Sequence, residues 1–264
     1  DHRDLHSFPT RRSSDLVGVF VGAIMKHVNP AALFSVPAAF LIVIVALIGA
    51  AMLSNTMGDA KKLMTFLLKG IKGQKEPDVS GAIDQIVSFA ERARREGLLA
   101  LESDLDSIDD PFFRRGLQLA IDGGDPEMVS EVMEAEIKAM SERHKAGAKY
   151  MMSIGIFSPT FGIIGAVFGL IATMAHLDDP SKLGEGIGAA FVATFWGVFL
   201  ANGIFLPIAN KLTSMSAKEV AYKRMIIEGV LSIQSGANPR LLDDLLRSTL
   251  PPKERSSGDE RQSA

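Results

Sequence analysis

Apolar residues gather in four blocks along this chain, and a long polar block separates the second from the third. The third and fourth blocks, residues 150–175 and 187–208, contain no Asp, Glu, Lys or Arg. A hydrocarbon core about 30 Å thick needs roughly 20 apolar residues of helix, so these blocks and the second one, residues 31–53, predict membrane spans. The first block, residues 17–25, is too short to cross alone and is interpreted as the end of an incomplete span.

The polar block has helical periodicity and no useful length of β alternation. Apolar residues recur at helical spacing from Ile83 to Ala90, Asp110-Pro111 begins another helix, and residues 127–149 form a long charged helix. The sequence therefore predicts an all-α integral membrane protein with four transmembrane helices, the first of them truncated. The expected divisions are 17–54 for transmembrane helices 1 and 2, 55–149 for a helical cytoplasmic domain, 150–210 for transmembrane helices 3 and 4, and 211–264 for cytoplasmic C-terminal helices and a disordered tail.

Residues 1–16 follow neither pattern. They have no helical or strand period, their polarity stops abruptly at Val17, and the run from His6 to Leu16 resembles the translation of a sequencing adapter. We interpret them as a non-native cloning or assembly scar and leave them out of the fold. Because they hold three acidic and three basic residues, the formal net charge is −3 with or without them.

A lysine-rich stretch, residues 58–73, follows the second apolar block. Its Lys61, Lys62, Lys69 and Lys72 alternate with apolar residues at helical spacing. Basic residues beside the exit of a membrane span favour a helix in the membrane interface, in contact with lipid. A solvated amphipathic helix is the alternative.

The placement of Lys and Arg predicts the orientation in the membrane. Lys26 and Lys182 are the only basic residues in the two short loops between spans. Cytoplasmic segments carry the excess of Lys and Arg near membrane ends. The polar block and the C-terminal tail are therefore expected inside, and the short loops outside, a bacterial inner membrane.

Composition excludes several kinds of site. The chain has no Cys, so disulfides and thiolate chemistry are impossible. Its five His show no metal-ligand spacing, and a net charge of −3 is too weak to indicate nucleic-acid binding. No catalytic triad or nucleotide-binding loop is recognisable. We expect no enzyme activity, no metal and no cofactor.

The spans lack an acidic residue of their own, which matters for ion transport. A proton relay through a membrane normally uses an embedded Asp, Glu or His, so a partner helix would have to bring one. Hydroxyl groups on Ser158, Thr160, Thr173 and Thr194 have the hydrogen-bonding capacity to line a path. The alternative is that each bonds the backbone carbonyl four residues earlier.

Small residues are the second feature of the spans. Gly162, Gly165 and Gly169 in the third block and Gly197 in the fourth permit close approach of helices. They predict packing against other helices, in this chain or in another subunit.

The polar block contains a stretch rich in both charges, residues 91–102. Charged surface patches steer partners and set specificity. A solvated helix face is the simpler interpretation when this stretch is taken alone.

Four pieces of the sequence together resemble the flagellar stator A subunits, the MotA/PomA family, within the MotA/TolQ/ExbB superfamily. The similarity runs from about Val17 to Leu250. The pieces are Ala93–Glu102, Ser158–Leu170, Ala193–Gly197 followed by Asn202 and Pro207, and Glu228–Arg240.

This resemblance implies a homo-oligomeric ring of A subunits around two B subunits of the MotB/PomB type. The B subunit grips peptidoglycan and supplies the Asp that is protonated and released. Thr194 matches the hydroxyl that faces this Asp. Pro159 and Pro207 match the prolines that couple protonation to helix movement in this family. Arg94, Arg95 and Glu102 match the charged residues that contact a rotor switch protein of the FliG type.

The resemblance also bears on the ion. Sodium-driven relatives carry Thr at the position of Ala166, and an Ala removes one oxygen ligand, so protons are expected in preference to Na⁺, along a path that includes Thr160, Ala166 and Thr194. The main alternative function is an ion-driven energiser of envelope transport, of the ExbB/TolQ type. Two predicted spans precede the polar block and two follow it, and this arrangement favours the stator over the ExbB/TolQ type. A membrane scaffold without ion flux is a third possibility.

Overall fold

The computed structural model describes residues 18, 21, 33–34, 37–54, 58, 61–73, 77–248 and 250. Within these residues every regular element is a helix and there is no strand, so the all-α prediction is confirmed. Nearly all of the first predicted span, the predicted scar and the predicted disordered end of the tail lie outside the described residues.

The described residues give bounds for eight α-helices, one 3₁₀ segment and one π segment. They are α1 (Pro37–Ser54), α2 (Leu63–Lys72), α3 (Val79–Glu96), a 3₁₀ segment (Leu98–Ser107), α4 (Pro111–Ile121), α5 (Pro126–Met174), α6 (Pro180–Phe199), a π segment (Leu200–Phe205), α7 (Leu206–Gln234) and α8 (Pro239–Ser248).

The helices divide into two compact units. The apolar unit comprises the described residues within 1–72 and 146–212, and the charged unit those within 73–145 and 213–264. Helix α5 contributes to both units because its 49 residues continue from the charged half into the apolar half without a break.

The membrane character of the apolar unit is visible in what it leaves exposed. Two helical stretches, Pro126–Met174 and Pro180–Gln234, are long and apolar enough to cross a bilayer, and Phe40–Ser54 is a shorter apolar helix. A core helix of a soluble protein would bury such a stretch, whereas Ile163, Val167 and Ile171 of α5 are exposed. These two stretches contain the predicted third and fourth spans. The count of four spans stays a prediction.

The charged unit is a helical bundle with its own apolar core. Helices α3, α4, α7 and α8 and the 3₁₀ segment bury large apolar side chains against one another. Asp110 begins α4 by accepting a hydrogen bond from the backbone of Phe112 at 2.8 Å, and Pro111 occupies the first helical position, where its missing N–H costs nothing. The helix start predicted at Asp110-Pro111 is therefore confirmed.

Candidate functional site

Helices α5 and α6 approach each other at a glycine contact. A Cβ atom added to Gly197 would lie 2.7 Å from the Cα of Gly162, and one added to Gly162 would lie 3.0 Å from the carbonyl oxygen of Ala193. Real Cβ atoms essentially never lie as close as 2.7 Å to a backbone atom, and 3.0 Å is tighter than nearly all real contacts. The absence of side chains at Gly162 and Gly197 therefore sets the separation of the two helices.

The same contact continues towards the other end of the helices. A Cβ added to Gly165 would lie 3.1 Å from the Cβ of Ala193, and one added to Gly169 would lie 3.4 Å from the backbone nitrogen of Ala190. All four glycines that the sequence analysis selected for helix packing thus lie along one seam between α5 and α6.

A buried side-chain hydrogen bond joins the helices at the glycine contact. The hydroxyl of Ser158 donates to the carbonyl oxygen of Gly197 at 2.8 Å, and Ser158 is fully buried. Its neighbour Pro159 interrupts the backbone hydrogen bonding of α5 because it has no N–H. The bond therefore fixes the interrupted turn of α5 to one carbonyl of α6.

Thr194 uses its hydroxyl within its own helix. The hydroxyl donates to the carbonyl oxygen of Ala190 at 3.1 Å, and Thr173 does the same to Gly169 at 2.8 Å. This is the alternative that the sequence left open for both residues. A hydroxyl that donates in this way still presents its oxygen lone pairs as acceptors.

Ala166 and Thr194 lie on the same side of the helix pair. At about 100° per residue, each is roughly 70° from the seam. Helix α1 packs on the opposite side, where Val43 lies 3.8 Å from a Cβ added to Gly165 and Phe40 lies edge-on to Trp196 at 4.9 Å between ring centres. The half-buried Ala166 and Thr194 therefore share the side away from α1.

Thr160 does not join them. It is exposed and lies roughly 170° around α5 from the seam, on the same stripe as the exposed Ile163 and Val167. The structure thus brings together two of the three residues predicted for an ion path and places the third on the outer face of α5.

Pro207 follows a π segment that the sequence analysis did not predict. In Leu200–Phe205 the helix widens, and the backbone N–H of Leu206 donates to Ala201, five residues back. The ring of Pro207 would otherwise clash with the carbonyl of Gly203 four residues earlier, and a wider turn relieves this clash. The sequence signal for this irregular turn was Gly203, which lies four residues before Pro207.

The predicted rotor-binding residues lie in the charged unit. Arg94 and Arg95 are exposed in the last turn of α3, and Glu102 is exposed on the 3₁₀ segment. Arg95 lies 3.7 Å from the carboxylate of Glu91, whereas Arg94 and Glu102 make no ion pair among the described residues. Gly97, with a φ of 86°, makes the turn between the two elements.

Arg92 holds this surface together, a role that sequence reasoning missed. It donates to Glu96 at 3.0 Å within α3 and to Asp104 on the 3₁₀ segment. The bonds to Glu96 and Asp104 raise the pKa of the Arg92 guanidinium above its ordinary value. The four-residue spacing of Arg92 and Glu96 was visible in the sequence, but the pairing with Asp104 depends on the turn at Gly97.

Neither unit contains a metal site in its described part. No group of three or more His, Asp or Glu side chains is positioned to hold an ion in the residues that the structure describes. The groups that the α5–α6 contact offers to a ligand or ion are hydroxyls and backbone carbonyls.

Comparisons with known proteins agree on one family. Residues 104–225 match the family described as the MotA/TolQ/ExbB proton channel family. Motility protein A of Bacillus subtilis is 40% identical over 239 residues, which is 90% of this chain and 88% of that protein. Chemotaxis protein PomA of Vibrio alginolyticus is 34% identical over 89% of this chain and 92% of that protein.

Two solved structures have a similar fold. The flagellar MotAB stator complex from Bacillus subtilis contains a chain with a TM-score of 0.85 and 38% identity, covering 92% of this chain and 94% of that one. A chain of C. jejuni MotAB has a TM-score of 0.85 and 34% identity, covering 91% and 94%.

Proposed function

Because this chain belongs to the motility protein A branch of the MotA/TolQ/ExbB proton channel family, we propose that its α5–α6 pair lines the ion path of a flagellar stator. The chain is a membrane-bound motor subunit and not an enzyme. With a MotB-type partner it forms an oligomeric complex that conducts ions and converts their flow into torque. The bacterial inner membrane is the proposed location.

One observation carries the proposed path: Ala166 and Thr194 lie on the same side of the α5–α6 pair, away from α1. The acidic residues in the described part of the apolar unit are Asp178, Asp179 and Glu185. The two Asp lie between α5 and α6, and Glu185 lies near the start of α6, before the fourth apolar block. Residues 150–174 of α5 and 187–199 of α6 contain no carboxylate. The side that carries Thr194 is therefore suited to a partner helix that brings its own acid.

The hydroxyl geometry favours a proton over a metal ion. Since Thr194 already donates to Ala190, its oxygen accepts a hydrogen bond from a protonated carboxylic acid and has no free proton for a carboxylate. The same side chain thus distinguishes the two states of the partner's acid. Ala166 contributes no oxygen, whereas Na⁺ prefers several oxygen ligands, so H⁺ is the proposed ion.

Pro159 and Pro207 are the proposed points of movement. Pro159 interrupts α5 beside the Ser158–Gly197 hydrogen bond, and Pro207 follows the π segment at the other end of the α6 stretch. Sharp bends in helices occur mostly at prolines and π turns, where the regular backbone hydrogen bonding is already interrupted. We place the coupling of protonation to helix movement at these two turns.

Removing the hydroxyl of Thr194 tests the ion path. Thr194→Val keeps the β-branched shape and loses the acceptor, so we expect swimming in a stator-deficient host that supplies a cognate B subunit to fall at least about fivefold, since an unmet hydrogen bond costs about 1–3 kcal/mol and about 1.4 kcal/mol is a factor of ten. Thr194→Ser restores the hydroxyl and is expected to recover most of the spreading in soft agar.

Three results distinguish the alternatives. Collapse of spreading with a protonophore, together with full spreading in sodium-free medium, supports a proton-driven stator. Normal swimming of Thr194→Val would instead favour a scaffold without ion flux. Failure of the parent chain to support swimming, despite membrane insertion and co-purification with the B subunit, would favour an ExbB/TolQ-type energiser.

We also propose that Arg94, Arg95 and Glu102 contact a FliG-type rotor protein. Exposed pairs are individually weak, which suits a contact that forms and breaks repeatedly. Arg94→Glu is expected to lower motor torque several-fold, measured with beads tethered to flagella, without changing membrane insertion.

The matched control for Arg94→Glu is Arg143→Glu, an equal charge change at another exposed position of the charged unit. A rotor protein whose charge at the contact is reversed should restore torque in Arg94→Glu but not in Arg143→Glu. Equal torque loss in both A-subunit variants would contradict a local contact.

A further inference from the structure

Helix α2 has one face packed on the spans. Leu63, Phe66 and Leu67 lie against the cluster that includes Tyr150 and Ile208. Gly70 is buried so closely that a Cβ added to it would lie 2.5 Å from the Cγ2 of Ile208. Helix α2 is therefore held at a defined position in the apolar unit.

The opposite face of α2 exposes large apolar side chains. Met64 is 63% exposed, Leu68 47% and Ile71 67%, and no other described segment covers them. Their spacing of four and three residues puts them in one stripe along the helix. A purely solvated helix would leave this stripe in water, which argues against the second interpretation left open by the sequence.

A row of lysines runs beside the apolar stripe. At about 100° per residue, Lys72 lies next to Leu68 on the helix surface, and Lys69 lies further round. Lys61 and Lys62 directly precede α2, and the backbone carbonyl of Lys62 accepts a hydrogen bond from Phe66 at 2.9 Å. All four are exposed, and none makes an ion pair among the described residues. The outward face of α2 is thus apolar on one side and basic on the other.

The lysines lie where the spans end. Tyr150 and Ile208, which α2 contacts, are terminal residues of the two long apolar blocks. Lys149 is exposed beside Tyr150, and the ammonium of Lys211 donates to the backbone carbonyl of Ile71 at 3.3 Å. This end of the described apolar unit therefore has six lysines and no acid.

We propose that the outward face of α2 is a binding site for anionic phospholipid headgroups of the cytoplasmic leaflet. Met64, Leu68 and Ile71 enter the boundary of the acyl chains, and Lys61, Lys62, Lys69 and Lys72 bind the phosphates. A second copy of the same face is a poor occupant because it would oppose lysine to lysine. The site depends on the membrane location and not on ion flow, so a stator that fails to swim still tests it.

The absence of Cys permits a clean measurement on the full chain. Leu68→Cys, labelled with a bimane fluorophore, is reconstituted into vesicles containing brominated phosphatidylglycerol or brominated phosphatidylcholine, with unbrominated lipid making up the same 1:1 mixture in both. We expect phosphatidylglycerol to quench several times more strongly, because juxtamembrane lysines attract anionic lipid. Adding Lys→Gln at 61, 62, 69 and 72 should bring the two quenching constants to about the same value.

The control adds Lys→Gln at Lys138, Lys145, Lys182 and Lys218 instead, which changes the net charge of the chain equally. Retained preference for phosphatidylglycerol in this variant supports a local site. Equal quenching by both lipids in the parent would overturn the proposal in favour of interfacial contact without headgroup binding. Absence of quenching by either lipid would overturn it in favour of a protein partner on this face.

Discussion

Gly197→Ala is expected to separate α5 from α6 and to abolish swimming in a complemented stator-deficient host. The new Cβ would lie 2.7 Å from the Cα of Gly162 and 2.8 Å from the carbonyl oxygen of Ser158. Both are backbone atoms, so no change of rotamer relieves the overlap. Overpacking of this kind costs about 1–3 kcal/mol, and separation also breaks the 2.8 Å bond from Ser158 to Gly197.

The matched control is Gly188→Ala on the same helix. A Cβ added to Gly188 meets no atom of the described chain within 4 Å. Replacement of Gly by Ala favours a helix by up to about 1 kcal/mol, so this variant should swim and melt as the parent does. Equal thermal stability and equal swimming of the two variants, measured on the detergent-purified complex and in soft agar, would contradict the proposed role of the Gly162–Gly197 contact.

Arg247→Leu is expected to destabilise the charged unit by about 3 kcal/mol, the lower end of the range for removing one partner of a buried ion pair. Arg247 of α8 donates to Asp84 of α3 at 2.5 Å and to Asp243 at 2.8 Å. The side chains of Arg247 and Asp243 are only 16% and 10% exposed. Burial lowers the pKa of Arg247, but the bonds to Asp84 and Asp243 outweigh this effect and raise it above the ordinary value.

The reason for the large effect is the charge left behind. Without Arg247 the buried carboxylate of Asp243 loses this cation, and α8 loses its polar link to α3. The expected result is a thermal unfolding midpoint lower by about 10 °C, since 1 kcal/mol shifts the midpoint of such a domain by several degrees. Circular dichroism of the detergent-purified chain measures it.

A matched single variant and a double variant test whether the effect comes from the buried ion pair. Arg240→Leu removes the same charge from an exposed position on α8 and should leave the midpoint unchanged. Arg247→Leu combined with Asp243→Leu removes both buried charges and should recover part of the loss. A midpoint of Arg247→Leu equal to that of Arg240→Leu would show that the pair contributes nothing.

Much of the fold could be predicted from the sequence because the bilayer restricts which structures can cross it. Backbone groups in hydrocarbon must be paired within a helix, so long uncharged blocks predicted helices. Residues 150–174 and 187–208 of these blocks lie in the two long stretches. The start at Asp110-Pro111 was also predictable, because capping and proline chemistry act over a few residues. The family itself followed from four local motifs.

The candidate site was legible only in part. Small residues at Gly162, Gly165, Gly169 and Gly197 indicated packing faces. The sequence did not show that Gly197 lies against Gly162 or that the Ser158 hydroxyl bonds across this contact. The sequence grouped Thr160 with Thr194 because both have hydroxyls in spans, and Ala166 joined them through the resemblance to sodium-driven relatives. Helical phase relative to a neighbour separates them, and that phase is known only once α1 and α6 are in place.

The sequence by itself determined the helical class, the charge-free spans, the missing carboxylate and the lysine-rich end, because these depend on composition and on interactions within one or two turns. The tertiary structure decided which face of each helix is covered. It placed Thr160 on the outer face of α5 and Ala166 on the same side of the helix pair as Thr194. It also directed the Ser158 hydroxyl to Gly197, linked Arg247 to Asp84 across 163 residues and left one stripe of α2 uncovered. Contacts between segments distant in the chain have no local signal, since they depend on how helices pack and not on what each helix is.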